Sequence, residues 1–243
     1  MILIRSILFV IWFYGTMLFW GLVYMPAVLR GRDRYIWHAM RNWGKSTIWG
    51  LRWIVGAHIS FEGLEHLPKG PALIASKHQA TLDTVLPAQF LCEPVFVVKK
   101  ELSKMPVFGF YMKRGMIPVD RDAHAKALKD MMRAARAAIG KGRQVVIYPE
   151  GTRQELDAAP EYKPGIAALY KDLGLPVTPI ALNTGLVWRP SGIIRRPGRV
   201  VIKIMPAIPP GLPRDQFMAE IERVIETESQ ALLPPDKRRT ALT

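Results

Sequence analysis

"PALIASKHQATLDT", residues Pro71–Thr84, decides how this 243-residue chain folds. Its opening run, Pro71–Ser76, is short and apolar, the pattern of a buried strand. Directly after it stand His78 and Asp83, five positions apart. Five residues on a continuous α-helix turn through about 140°, which would point the two side chains away from each other. They can meet only if His78 sits on a loop leaving the strand and Asp83 lies in the first turns of the helix that follows. Two readings are open on spacing alone. One is a catalytic imidazole–carboxylate pair; the other, the commoner arrangement, is a capping carboxylate beside a surface histidine, with Thr81 as a cap.

Outward from this stretch the chain alternates strand and helix patterns. Strands are expected at "HISFEG" (58–63), "PVFVV" (94–98), "MIPV" (116–119), "QVVIY" (144–148), "PVTPIAL" (176–182) and "RVVIKIM" (199–205). Helices are expected over Leu82–Leu91, Ala123–Gly140, Gly165–Leu173 and Arg214–Leu233. This order predicts an α/β fold with a mixed, largely parallel sheet flanked by helices, whose site gathers at the carboxyl ends of the strands. "TRQELDAAPEYKPG" (152–165) is the one long loop, and a loop in that place can act as a lid. Pro234–Thr243 reads as a basic tail.

The chain before residue 58 has a different character. Ser6–Met25 carries no charge, and twenty helical residues rise about 30 Å, the thickness of a hydrocarbon core. The run is too long and aromatic for a signal-peptide core, and no small-x-small cleavage site follows before "RGRDR". A second stretch, "STIWGLRWIVGA" (46–57), is too short to cross, and its Trp and Arg content suits an interface. Residues 1–57 are therefore expected to form an N-terminal membrane-associated helical hairpin, and 58–243 the α/β domain. Arg30, Arg32 and Arg34 follow the apolar run while only Arg5 precedes it, which places the domain on the cytoplasmic face of the inner (plasma) membrane. A hairpin dipping into one leaflet fits these segments as well as a full span.

The formal charge of +14 calls for an anionic partner. Nucleic acid, an anionic membrane and a phosphorylated or CoA-like substrate all qualify. The membrane segment, and the lack of a basic-aromatic nucleic-acid motif, favour membrane lipids and exclude nucleic acid. Cys92 is the single cysteine, has no partner to bridge and is expected in the core.

Two more strand exits carry chemistry. "VVIYPEGTR" ends in Glu150, Gly151, Thr152 and Arg153, which combine a glycine for close backbone approach with a hydroxyl and an arginine suited to an oxyanion. "GMIPVDR" ends in Asp120 and Arg121. Together the three exits describe a base facing a phosphate site. No Gly-x-Ser-x-Gly elbow is present, so an acyl-enzyme has no evident nucleophile, and the remaining histidines are too scattered for a metal.

These residues resemble the 1-acylglycerol-3-phosphate acyltransferase family. Its His-x4-Asp signature is met by His78 and Asp83; its Gly-x-Ile-x-x-x-Arg block by Gly115, Ile117 and Arg121; its Phe-Pro-Glu-Gly-Thr-Arg block by Pro149–Arg153; and its Pro-rich hydrophobic strand by "LPVTPIAL". The departures are Lys77 for the common Asn, Ala80 for Ser and Tyr148 for Phe. The resemblance implies acyl transfer from a thioester, acyl-CoA or acyl carrier protein, to the sn-2 hydroxyl of 1-acylglycerol-3-phosphate, with no cofactor. His78 would be the general base, Asp83 its orienting partner, and Arg121, Glu150, Gly151, Thr152, Arg153 and Lys104 the phosphate site. Glycerol-3-phosphate or another lysolipid as acceptor, and a non-catalytic lipid-binding module, are the alternatives.

Overall fold

The computed structural model describes residues 1–120 and 124–239. Seven strands form one sheet: β1 (Ala57–Glu62), β2 (Ala72–Ser76), β3 (Pro94–Lys99), β4 (Ile117–Val119), β5 (Gln144–Ile147), β6 (Val177–Leu182) and β7 (Gly198–Ile204), in the order β1-β7-β6-β2-β5-β3-β4. Every pairing is parallel except β6 with β7. The expected mixed, largely parallel α/β sheet is what the chain forms.

The pleat sends alternate residues of the central strands into two cores. Ile74 and Val146 join the core on one face, while Leu73, Ala75, Val145 and Ile147 join the core on the other. The second core is closed by α4 (His124–Gly140), α5 (Gly165–Leu173) and α6 (Arg214–Ala231). The first is closed by α1 (Ile2–Leu29) and α2 (Tyr35–Gly50). A short helix, α3 (Phe108–Gly115), leads into β4.

Three local expectations are corrected. Residues 82–91 do not form an α-helix but two 3-10 turns, Thr81–Thr84 and Leu86–Gln89. The Asp83 carboxylate draws the local N–H groups to itself, and Pro87 offers none of its own while disfavouring the α conformation at Leu86. Cys92 is exposed rather than in the core, because it opens the turn into β3 with its backbone N–H pinned to Gln144 Oε1 at 2.8 Å. The stretch 46–57 does not stand alone: it is the end of α2, which runs on through a π turn, Leu51–Val55, and stops at Gly56.

α1 is long and apolar enough to cross a bilayer, yet it lies along the domain instead of projecting from it. Near its start the Ser6 hydroxyl accepts the Arg195 backbone N–H at 2.8 Å. Further along, the Tyr111 hydroxyl donates to the Gly21 carbonyl at 2.5 Å, and Arg114 reaches the Val28 carbonyl at 3.2 Å. Phe13 packs between Trp43 and Trp188, ring centroids 4.9 and 5.0 Å away. The opposite face, with Ile4, Ile11 and Phe19, is left exposed.

Gly63, just after β1, has φ +71°, and a Cβ there would lie 2.0 Å from the Ile204 carbonyl oxygen. Gly63→Ala therefore combines a left-handed backbone with a clash against main chain. We expect a loss of about 2–3 kcal/mol, read as a melting temperature lower by about 5–10 °C. A variant melting with the wild type would show that β7 yields freely at this point.

Candidate active site

Strand order brings three exits together. β6, β2 and β5 are neighbours running the same way, so Asn183–Thr184, Lys77–His78 and Tyr148–Arg153 emerge side by side at their carboxyl ends. His78 leaves β2 on a loop, and Asp83 comes back beneath it in the first 3-10 turn. The Asp83 side chain has no exposed surface, whereas the imidazole keeps 13% of its own. That difference leaves the ring open to a substrate and the carboxylate sealed.

Four donors hold the aspartate. Oδ2 accepts the backbone N–H of Gln79 at 2.6 Å and of Ala80 at 2.8 Å, and stands 3.1 Å from His78 Nδ1. Oδ1 accepts the Thr184 hydroxyl at 2.6 Å. An acceptor-only carboxylate at Nδ1 fixes the proton on that nitrogen and leaves the Nε2 lone pair free. Gln79 is held in turn, its Oε1 accepting the Gly185 N–H at 3.0 Å.

Tyr148 forms the floor. Its ring stacks on the imidazole at 4.2 Å, and its hydroxyl donates to the Asp83 carbonyl at 2.8 Å. Burial, and secondarily the Asp83 charge, push this phenol well above its ordinary range, so it remains a neutral donor. A phenylalanine here would keep the stacking and lose the hydrogen bond.

The imidazole faces a cavity of about 680 Å³. Its polar lining includes His78, Thr81, Glu150, Thr152, Arg153, Lys99 and Lys163. Its apolar lining includes Phe13, Tyr14, Met17 and Trp43 of the hairpin, and Met105 and Phe108 where the chain enters α3. Gly151, at φ +70°, makes the turn that carries Thr152 and Arg153 into this wall. Arg153 Nη1 donates to Thr81 Oγ1 at 3.1 Å.

The remaining expected phosphate ligands are placed differently. Glu150 has a fully buried side chain whose Oε2 accepts the His78 N–H at 2.8 Å and whose Oε1 meets Lys77 Nζ at 2.5 Å. Lys104 lies exposed on the 3-10 turn Lys100–Lys104 and is not part of the cavity lining, where Lys99 and Lys163 supply the ammonium groups. Arg121 lies outside the described residues. Thr184, Gln79 and Lys163 escaped the sequence reading. The "NTG" at the exit of β6 was a usable signal for Thr184, since a third neighbouring strand end must face the same site. Among the described residues no group of three or more His, Cys, Asp or Glu is arranged to hold a metal ion.

Burial pushes the Glu150 carboxyl up to about 7, against the downward pull of Lys77 and of the His78 N–H. A folded value above the ordinary 4.5 means that the native state holds this proton more tightly than the unfolded chain. That contribution to stability is full below about 4.5 and is lost as pH rises through about 7, on the order of 3 kcal/mol. Glu150→Gln does not titrate, so its melting temperature relative to wild type should improve from pH 5 to pH 8; a gap that stays constant would remove the assignment. Thr184→Val leaves Asp83 Oδ1 without a donor, and kcat should fall about tenfold with KM little changed.

With this geometry in place, the comparisons are specific. A family model described as Acyltransferase matches residues 58–183. A 1-acyl-sn-glycerol-3-phosphate acyltransferase of Pseudomonas aeruginosa is 32% identical over 245 residues, covering 98% of this chain and 95% of that protein. One from Cocos nucifera is 30% identical over 156 residues, 63% of this chain and 50% of that protein. The crystal structure of the 1-acyl-sn-glycerophosphate acyltransferase from Thermotoga maritima superposes with a TM-score of 0.77 over 96% of this chain and 99% of that one; at 21% identity it bears on the fold. A family match over more than half of the chain, holding His78, Asp83 and the Glu150–Arg153 turn, and a relative aligned almost end to end establish that this chain belongs to the acyltransferase family.

Proposed function

We propose that the protein transfers a fatty acyl group from an acyl thioester to the free sn-2 hydroxyl of 1-acylglycerol-3-phosphate, giving phosphatidic acid. The observation that carries this reading is the His78 ring, held at Nδ1 by a sealed carboxylate and facing a cavity lined by both basic and apolar side chains. Relatives named for this reaction support the choice of acceptor.

The steps follow from the geometry. The acceptor hydroxyl attacks the thioester carbonyl carbon as His78 Nε2 takes its proton, and Asp83 stabilises the imidazolium that forms. The tetrahedral intermediate collapses with cleavage of the carbon–sulfur bond, and the departing thiolate recovers the proton from His78. Arg153 and Lys163, with Thr152 and the Gly151 backbone, hold the acceptor's phosphate beside the ring. Glu150 serves from beneath, through the His78 backbone. The acyl chain lies along Phe13, Met17 and Phe108. Acyl-CoA and acyl carrier protein both present the required thioester.

The membrane placement follows from α1. A helix in contact with the domain from Ser6 to Val28 cannot cross a bilayer and leave that domain in water. Its exposed apolar face, extended by Trp49 and Trp53, suits burial in one leaflet with the domain beside it.

Transfer of labelled acyl groups from each donor to 1-acylglycerol-3-phosphate tests this reading. Detergent-solubilised wild type should form phosphatidic acid, and His78→Ala should lose about a thousandfold in kcat while remaining folded. Transfer only to glycerol-3-phosphate or another lysolipid would move the acceptor, and a fully active His78→Ala would reject the base.

A further inference from the structure

Lys77, the residue before His78, stands where the family pattern has an uncharged amide, and it is not at the surface. Its side chain is 4% exposed, and its ammonium lies 2.5 Å from Glu150 Oε1 and 2.5 Å from Glu226 Oε1. Glu226 projects from α6, beyond the residues that match the family. Its Oε1 also accepts the Tyr162 hydroxyl at 3.1 Å, and its Oε2 pairs with Arg239. Arg239, Glu226, Lys77 and Glu150 thus form a continuous chain of ion pairs from the carboxyl-terminal helix to the active-site loop.

The chain ends on the histidine's own backbone. Glu150 gives one oxygen to Lys77 and the other to the His78 N–H. From the other side, Gln154 N–H donates to the His78 carbonyl at 2.8 Å. The loop that supplies both partners has no helix or strand between Gly151 and Pro164, and it leans on α6 through Tyr162 and through Gln230, which donates to the Leu156 carbonyl at 3.4 Å. Neither Lys77 nor Glu226 lines the cavity. Buried ion pairs contribute little net stability compared with apolar packing, so four charges here serve geometry better than they serve folding.

We propose that Glu226, acting through Lys77 and Glu150, is a positioning residue that fixes the His78 backbone and so aims Nε2 at the acceptor hydroxyl. This rests on the reading of His78 as the base. Glu226 touches no substrate, and the load passes from α6 through one ammonium and one carboxylate to the main chain of the reacting residue.

The test compares wild type, Glu226→Gln, Lys77→Met/Glu226→Met and His78→Ala in detergent, with steady-state kinetics on 1-acylglycerol-3-phosphate and thermal melts. Glu226→Gln keeps the shape and removes the charge; the double variant removes both bridging charges and fills the space with apolar side chains. Both should fold and lose about tenfold or more in kcat with KM within about twofold, because Arg153 is held separately through Thr81. Wild-type kcat in either folded variant, or a loss confined to KM, would overturn the proposal while an inactive His78→Ala left the base intact. Failure of both variants to fold would also overturn it, since the charges would then be holding the fold and not the histidine. An active His78→Ala would remove the base and the proposal together.

Discussion

Asp83 has no exposed surface and receives four hydrogen-bond donors from three parts of the chain: its own turn, the imidazole and Thr184 beyond β6. A buried carboxylate is costly unless its lone pairs are filled, and here they are filled by groups that the fold must deliver to one point. The demand explains several local features at once. It bends residues 81–84 into a 3-10 turn, draws the exits of β2 and β6 together, and fixes which nitrogen of His78 carries the proton. The carboxylate is sealed away from the cavity, yet the direction of His78 Nε2 depends on it.

Much of the architecture was legible because the central strands are written in short apolar runs whose neighbours are turn-forming or charged. Ala72–Ser76, Gln144–Ile147 and Val177–Leu182 fall within a residue of where the pattern puts them. The failures were local in cause. Leu82–Leu91 has helical spacing, but a carboxylate competing for backbone N–H groups and a proline at position 87 outweigh it. Cys92 was placed by the habits of its residue type, and a single backbone hydrogen bond to Gln144 turned it outward. Within the site, His78, Asp83 and the Glu150–Arg153 turn were readable as strand exits. Thr184 lies 101 positions from Asp83 and Glu226 lies 149 from Lys77, and no spacing rule spans such distances.

The same stretch shows why a motif names residues more reliably than roles. Glu150 stands directly before Gly151, Thr152 and Arg153, and the company suggests a ligand. Its carboxylate is nevertheless turned inward to Lys77 and the His78 N–H. Arg153 is turned the other way, onto the cavity wall, held by a neutral hydroxyl that leaves its charge available. One glycine with a left-handed backbone separates the two directions.

The pairing of β1 with β7 sets an order of events during synthesis. The hairpin and β1 leave the ribosome first, but the register that fixes β1, Ala57 against Gly198 through Glu62 against Lys203, belongs to a strand made some 140 residues later. The core under α1 and α2 is likewise shared with strands from the middle and end of the chain. Until those strands arrive, the aromatic face of the hairpin has no protein surface to bury itself against. An apolar solvent such as lipid suits that face until the strands arrive.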